Sequence, residues 1–174
     1  MAAPSQPSLG SDVVRLRSAD GVTHEVNREA LTRLSPVLEG LLGECGAEEA
    51  VPLPSVQGRE LGRVAEFCRQ WDAHEAAARG ADGSGAAAAA AAAKERAAWE
   101  AAYLAPLNAD DLHDLLLAAN FLHAEPLMTL CFRAVGDAMR GKAPAEIRAH
   151  FGIPNDFEPG EEDAIRRENQ RYFS

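Results

Sequence analysis

The sequence predicts an α+β fold: a small β-sheet with packed helices, followed by a helical extension at the C-terminal end. Three observations carry this expectation. Val14-Arg15-Leu16-Arg17 and Val22-Thr23-His24-Glu25-Val26 alternate on either side of Ala19-Asp20-Gly21, the pattern of a β-hairpin with Asp-Gly at its tip. Beyond Asn27, apolar residues recur mainly at spacings of three and four, the helical period. The last segment carries Phe151, Ile153, Phe157, Ile165 and Tyr172, more apolar surface than it can bury itself, and its last helix has too little burial to fold well alone.

In chain order, residues 1–11 are a Pro/Ser/Gly-containing tail, expected to be disordered. After the hairpin, Asn27 is a cap for a short helix that turns Ala30, Leu31 and Leu34 inward. Ser35-Pro36 restarts a helix, serine as cap and proline in the first position, with Val37, Leu38, Leu41 and Leu42 expected inside and Gly43 and Gly46 ending it. Val51-Pro52-Leu53-Pro54 must be extended, because each residue before a proline is pushed away from helix, and its prolines confine it to a short or edge strand. Ser55 is expected to cap a longer helix with a stripe of Leu61, Val64, Ala65 and Cys68, and with Phe67 and Trp71 alongside.

After Trp71 the composition changes. Residues 73–98 hold Gly80–Gly85, the alanine run Ala86–Ala93 and Lys94-Glu95-Arg96, which reads as a surface insertion, partly helical at most. Trp99, Tyr103 and Leu104 then restore apolar anchors. Leu107–Lys142 reads as two helices broken at His123-Ala124-Glu125-Pro126. Asn108 caps the first, with Asp110 and Asp111 in its first turn and Leu112, Leu115, Leu116, Ala119 and Leu122 on one face. Leu127, Cys131, Val135 and Ala138 line the second, with Met128, Phe132 and Met139 beside them. That is too much apolar surface for one side of a solvated helix, so part of it should meet something other than the core. A short helix over Pro144–His150 and a last one from about Gly160 to Tyr172 complete the chain, the last one acidic at its start and basic at its end. This tail either packs back on its own domain or, more simply, orders against a partner.

Composition excludes several functions. The chain has 174 residues, 47% of them hydrophobic, enough for one real core. Its formal net charge of -10 argues against phosphate backbones and anionic lipid, so no nucleic acid and no membrane is expected as a partner. No run approaches the roughly 20 apolar residues that span a bilayer. The opening residues lack the pattern of a signal peptide, and cytoplasm and nucleus are the expected compartments. Cys45, Cys68 and Cys131 lie far apart, the last two on predicted core faces, and read as reduced thiols.

Signatures of catalysis are missing. Gly136–Ala143 has the spacing of a phosphate-binding loop, but Ala143 stands where a hydroxyl is required, and the segment follows a helix instead of a strand. The five histidines show no metal-ligand spacing with one another or with the cysteines. His113 lies beside Asp110, Asp111 and Asp114, carboxylates that serve the start of a helix. Neither a Gly-x-Ser-x-Gly elbow nor a Cys/His nucleophile signature is present, and Glu158–Asp163 lacks the alternating ligands of a calcium loop. The expectation is a protein that is not an enzyme and needs no cofactor.

Four motifs now carry a resemblance: Leu117-Ala-Ala-Asn-Phe-Leu122, Gly141-Lys-Ala-Pro-Ala-Glu-Ile-Arg148, Phe151-Gly-Ile-Pro-Asn-Asp-Phe157 and Arg167-Glu-Asn-Gln170. Together they closely resemble the S-phase kinase-associated protein 1 family, adaptor subunits of SCF-type cullin–RING ubiquitin ligases. The order hairpin, two short helices, Val-Pro-Leu-Pro strand and long helix is similar to a BTB/POZ fold. The resemblance covers roughly residues 12–72 and 99–172.

It implies a BTB/POZ-like cullin-binding domain over 12–142, with the Gly/Ala-rich insertion 73–98 on its surface, and a helical F-box-binding extension over 143–174. The implied function is a non-catalytic adaptor that bridges cullin, and through it a RING subunit, to F-box substrate receptors. The cullin-binding pair would be Asn120 and Phe121, where the family carries Asn-Tyr. The F-box-binding set would be Val135, Met139, Ile147, Phe151, Ile153, Asn155, Phe157, Ile165 and Asn169, with Tyr172 taking over as anchor where the family ends in an aromatic-cysteine pair. Ala143 replaces the threonine that caps the penultimate helix in the family. Pro159 matches a proline that some lineages hydroxylate and glycosylate, and is a candidate modification site. The alternative implied function is a BTB-type scaffold, or a paralogue that binds F-box proteins without cullin.

Overall fold

The computed structural model describes residues 13–44, 50–81 and 85–172. The expected tail at 1–11, Cys45, Gly46 and Phe173 lie outside the described residues. The elements are β1 (Val13–Ser18), β2 (Thr23–Asn27), α1 (Arg28–Leu34), α2 (Pro36–Glu44), β3 (Val51–Leu53), α3 (Gly58–Ala81), α4 (Ala86–Leu104), α5 (Ala109–Phe121), α6 (Glu125–Met139), α7 (Pro144–His150) and α8 (Glu161–Tyr172). The chain divides into two compact units, Met1–Asp137 and Ala138–Ser174, and the division falls inside α6.

In the first unit a three-stranded sheet has the order β2-β1-β3. β1 pairs antiparallel with β2, Leu16 opposite His24, and parallel with β3, Leu16 opposite Val51. Val14, Leu16, Val26, Val51 and Leu53 turn inward, as period-two alternation demands. They join Leu31, Leu34, Leu38, Leu61, Val64, Phe67, Leu115, Leu122 and Leu127 in one core.

Several caps fall where the residue types require. Asn27 accepts the Ala30 N–H at 3.0 Å and starts α1. Ser35 accepts the Leu38 N–H at 3.1 Å, and its hydroxyl donates to the carbonyl of Leu122. One buried serine thus starts α2 and takes up a carbonyl at the end of α5. Asn108 and Asp111 form a reciprocal capping box on α5. Past Leu122, His123 adopts a left-handed φ of 50°. Ala124 N–H then donates to Ala119 O at 2.9 Å and His123 N–H to Asn120 O at 3.0 Å, a Schellman closure that breaks the two helices at the expected place.

Two expectations are corrected. α3 starts at Gly58 and is not capped by Ser55, because Val56 is pulled into the core and Ser55 is left in the preceding turn. The cap comes from the hairpin tip, where Asp20 Oδ1 accepts the Gly58 N–H at 2.9 Å. A side chain at position 58 would crowd that approach, since a Cβ there would lie 2.8 Å from Val22 Cβ.

The second correction concerns 73–98, which is helical in its described part apart from Gly85. α3 runs on to Ala81, and α4 begins at Ala86. Alanine, glutamate, lysine and arginine are strong helix formers, and the pair is pinned near its base. His74 stacks on Trp99 at 4.9 Å, and Arg96 bridges Glu75 at 2.5 Å and Glu100 at 3.0 Å. Smaller differences are that Val37 and Leu41 are half-buried, and that Leu130 and Ala118 are core residues which the chosen stripes omitted.

A buried carboxylate joins α3 to α5. Asp111 is ion-paired to Arg59 at 2.5 Å and to Arg63 at 3.3 Å. Removal from solvent pushes its carboxyl up, but the Asn108 N–H and the Arg63 and Arg59 guanidiniums outweigh this and hold it below the ordinary 3.8. At Asp20 the Ser18 hydroxyl has the largest effect, and that carboxyl is also held below 3.8. For a depressed carboxyl the stabilisation is present above the unfolded-state value and is lost as pH falls through the folded-state value. Melting temperature is therefore expected to hold down to about pH 4 and to fall below it. Asp111→Asn is expected to lower the neutral-pH melting temperature and shrink its fall in acid, as followed by circular dichroism. An equal acid fall in the variant would contradict this reading.

Candidate docking surfaces

The first surface lies on α5. Asn120 and Phe121 are both exposed in its last turn, Phe121 at 40%. One turn earlier stands Leu117, 54% exposed, which belongs to the same face by its spacing of four. The opposite face supplies Leu115, Ala118, Ala119 and Leu122 to the core. α5 is thus apolar on two sides and buries one of them. The sequence reading placed Asn120 and Phe121 on this helix but missed Leu117. Its signal was present in the spacing 117/121, outside the core stripe 115/119/122.

The second unit has a different construction. No residue of α7 or α8 is buried. Ile147 and Phe151 are half-buried, whereas Met139, Ile153, Phe157, Ile165 and Tyr172 are exposed, Tyr172 at 77%. Phe157, Ile165 and Asn169 line one open cleft of about 430 Å³. Met139, Ile147, Phe151, Ile153, Asn155 and Tyr172 do not line it, and Val135 is a half-buried residue of the first unit. Missing from the sequence reading were the charged walls of this cleft, Arg148, Glu162 and Arg166.

Local hydrogen bonds explain how the second unit holds its shape with so little burial. The Ala143 N–H donates to Glu146 Oε2 at 2.7 Å, so half of a capping box survives although alanine cannot act as the acceptor. After α7, Gly152 takes a φ of 64°, and the Ile153 N–H reaches Arg148 O at 2.9 Å. Arg148 lies over the Phe157 ring at 5.7 Å and meets Glu162 at 3.5 Å, linking α7, the connecting segment and α8. Asn155 Oδ1 accepts the Phe157 N–H at 3.4 Å, a local turn contact. Pro159-Gly160 occupies the centre of a turn closed by Glu161 N–H to Glu158 O at 3.0 Å, with Gly160 at φ 88°. Pro159 is exposed at its tip.

Among the described residues no group of three or more His, Cys, Asp or Glu side chains is placed to hold a metal ion. Cys68 and Cys131 are buried free thiols, and burial pushes them up to about 12 and about 11, away from the reactive thiolate. Among the described residues no helix is long and apolar enough to cross a membrane.

Comparison with known proteins gives the family. Residues 12–72 match the Skp1 family tetramerisation domain, and residues 125–172 match the Skp1 family dimerisation domain. SKP1-like protein 4 of Arabidopsis thaliana is 36% identical over 161 residues, 92% of this chain and 96% of the relative. SKP1-like protein 1A of the same plant is 37% identical over 95% of this chain and 99% of its own length. SKP1-like protein 1 of Oryza sativa subsp. japonica is 38% identical over 92% of this chain and 95% of its own length. With a BTB/POZ-like unit of sheet and helices, a second unit whose helices bury no residue, and likeness over nearly the full length of these relatives, this chain belongs to the Skp1 family.

Proposed function

We propose that this protein is a non-catalytic adaptor of an SCF-type E3 ubiquitin ligase. It bridges a cullin scaffold, and through it a RING subunit, to F-box substrate receptors whose cargo is marked for ubiquitin-dependent degradation by the proteasome. Family membership supports the adaptor role in general terms. The observation that carries the two-sided reading is the apolar surface left unburied in two separate places, on α5 and along α7–α8.

Residues 12–142 act as the BTB/POZ-like cullin-binding domain, with 73–98 as a helical surface insertion, and 143–174 act as the F-box-binding extension. The mechanism is docking without chemistry. An amphipathic helix of the F-box protein lays its apolar face on Phe157, Ile165 and Tyr172, and the cleft takes one of its side chains. Ile165, Asn169 and Tyr172 share one face of α8 at spacings of four and three, so a polar group sits between two apolar anchors. Val135, Met139, Ile147, Phe151, Ile153 and Asn155 complete the F-box-facing set.

Asn120 and Phe121 meet the cullin. The ring at Phe121 packs without donating a hydrogen bond, which is the one feature favouring the second reading: a paralogue that keeps F-box proteins but not cullin. Asn120→Lys combined with Phe121→Lys is expected to remove cullin from the complex and leave the F-box protein bound, read by co-purification. Loss of both partners, or of neither, would contradict a separate cullin face.

We assign the protein to cytoplasm and nucleus. Pro159 is the candidate modification site, since its ring is exposed at a turn tip. Mass spectrometry of native protein is expected to show a tryptic peptide heavier by one oxygen or by a glycan, and only the unmodified peptide would remove the assignment.

A further inference from the structure

We infer that the cleft at the start of α3 is a pocket for a cationic side chain, arginine or lysine, of the protein that docks on the α5 face. The inference rests on the cullin-binding reading of that face. The cleft has a volume of about 180 Å³ and lies between the Ser55–Glu60 segment and α5, where Asp114, Leu117 and Ala118 line it. Glu60 is the deciding residue. It is only 8% exposed, it lines the cleft, and it has no hydrogen bond or ion pair among the described residues. Its carboxylate oxygens keep some contact with solvent.

The cations nearest in sequence pair with Asp111, Arg59 and Arg63 both, and although Arg63 Nη1 is left without a hydrogen-bond partner it makes no ion pair with Glu60 among the described residues. Position three of α3 favours a negative charge through the helix dipole, but that explains the sign of the group and supplies it no hydrogen-bond donor. A carboxylate mostly removed from water without a donor is unfavourable, and an entering guanidinium or ammonium group provides several. Asp114, exposed on α5, adds a second negative charge at the same cleft. Leu117 and Phe121 continue from it as an apolar strip for the aliphatic stem and its neighbours. Among the described residues no three His, Cys, Asp or Glu side chains are placed to hold a metal ion, so the site suits a side-chain cation better than a metal ion.

The test compares wild type, Glu60→Gln and the Asn120→Lys/Phe121→Lys pair, each as the full chain bound to an F-box protein, for affinity to the N-terminal half of a cullin. Thermal melting of each variant is measured alongside. Glu60→Gln is expected to weaken binding about tenfold and to flatten its salt dependence, while its melting temperature holds or rises. If only the lysine pair loses cullin and Glu60→Gln binds like wild type, the pocket is overturned and the cullin reading stands. If wild type does not bind cullin, that reading fails and the pocket with it. A lowered melting temperature with unchanged affinity makes Glu60 a folding residue and overturns the pocket, as does binding that depends on added magnesium.

Discussion

Replacing Phe157 and Ile165 together by aspartate is expected to abolish F-box binding and leave the fold in place. Phe157 is 39% exposed and Ile165 41%, and neither belongs to the core of the first unit, so the packing lost is confined to the second unit, chiefly the Arg148–Phe157 contact. Full burial of such side chains contributes about 1.5–3 kcal/mol each, so covering the exposed part in a complex yields roughly 1 kcal/mol per residue. The larger effect is the introduced charge, because a carboxylate carried into an apolar interface without a partner costs several kcal/mol. The sum corresponds to a loss of about a hundredfold or more. Titration calorimetry against a purified F-box protein, with circular dichroism as the folding control, reads both halves. Binding within a few-fold of wild type would mean that F-box proteins do not use this cleft.

Phe67→Ala is expected to be the most destabilising single change considered for the first unit. Phe67 is 1% exposed, and its ring lies 5.4 Å from Trp99 and 5.6 Å from Tyr103. This aromatic cluster is what holds α4 on α3. Beyond it the alanine run is largely exposed, and the remaining ties are the His74–Trp99 stack and the partly exposed pairs of Arg96. Tyr103 adds a hydrogen bond from its hydroxyl to Arg63 O at 3.0 Å. Truncating a buried phenylalanine costs about 3–5 kcal/mol. For a chain of this size that is a fall of roughly 10 °C in melting temperature. Hydrogen exchange is expected to open α4 first. A fall of a degree or two would show that the helical pair is held by its solvated ion pairs instead.

The hairpin, α1, α2, α5, α6 and α7 were legible because each has a local cause: an Asp-Gly tip, Asn27, Ser35, Asn108, or a proline in the first turn of a helix, and α8 was legible from its acidic start and basic end. The start of α3 was not legible from Ser55, since its cap is Asp20, distant in sequence and brought close only by the folded hairpin. The alanine run misled for a different reason. Burying little does not prevent helix when propensity is high and when His74, Glu75, Arg96 and Trp99 fix the pair at its base. At the docking surfaces, apolar residues out of step with the core stripe were visible as surplus, which is how α7 and α8 stood out. Leu117 and Glu60 were not, because the exposure of one and the unpaired burial of the other depend on how α3 and α5 approach each other.

The central claim is that one chain holds two partners on two separate surfaces. Size-exclusion chromatography of the chain mixed with an F-box protein and the N-terminal half of a cullin tests it most directly. The expected result is a single ternary peak that loses only cullin when Asn120 and Phe121 become lysine, and only the F-box protein when Phe157 and Ile165 become aspartate. A chain that binds neither partner, or that loses both with either pair of substitutions, would contradict the two-sided adaptor.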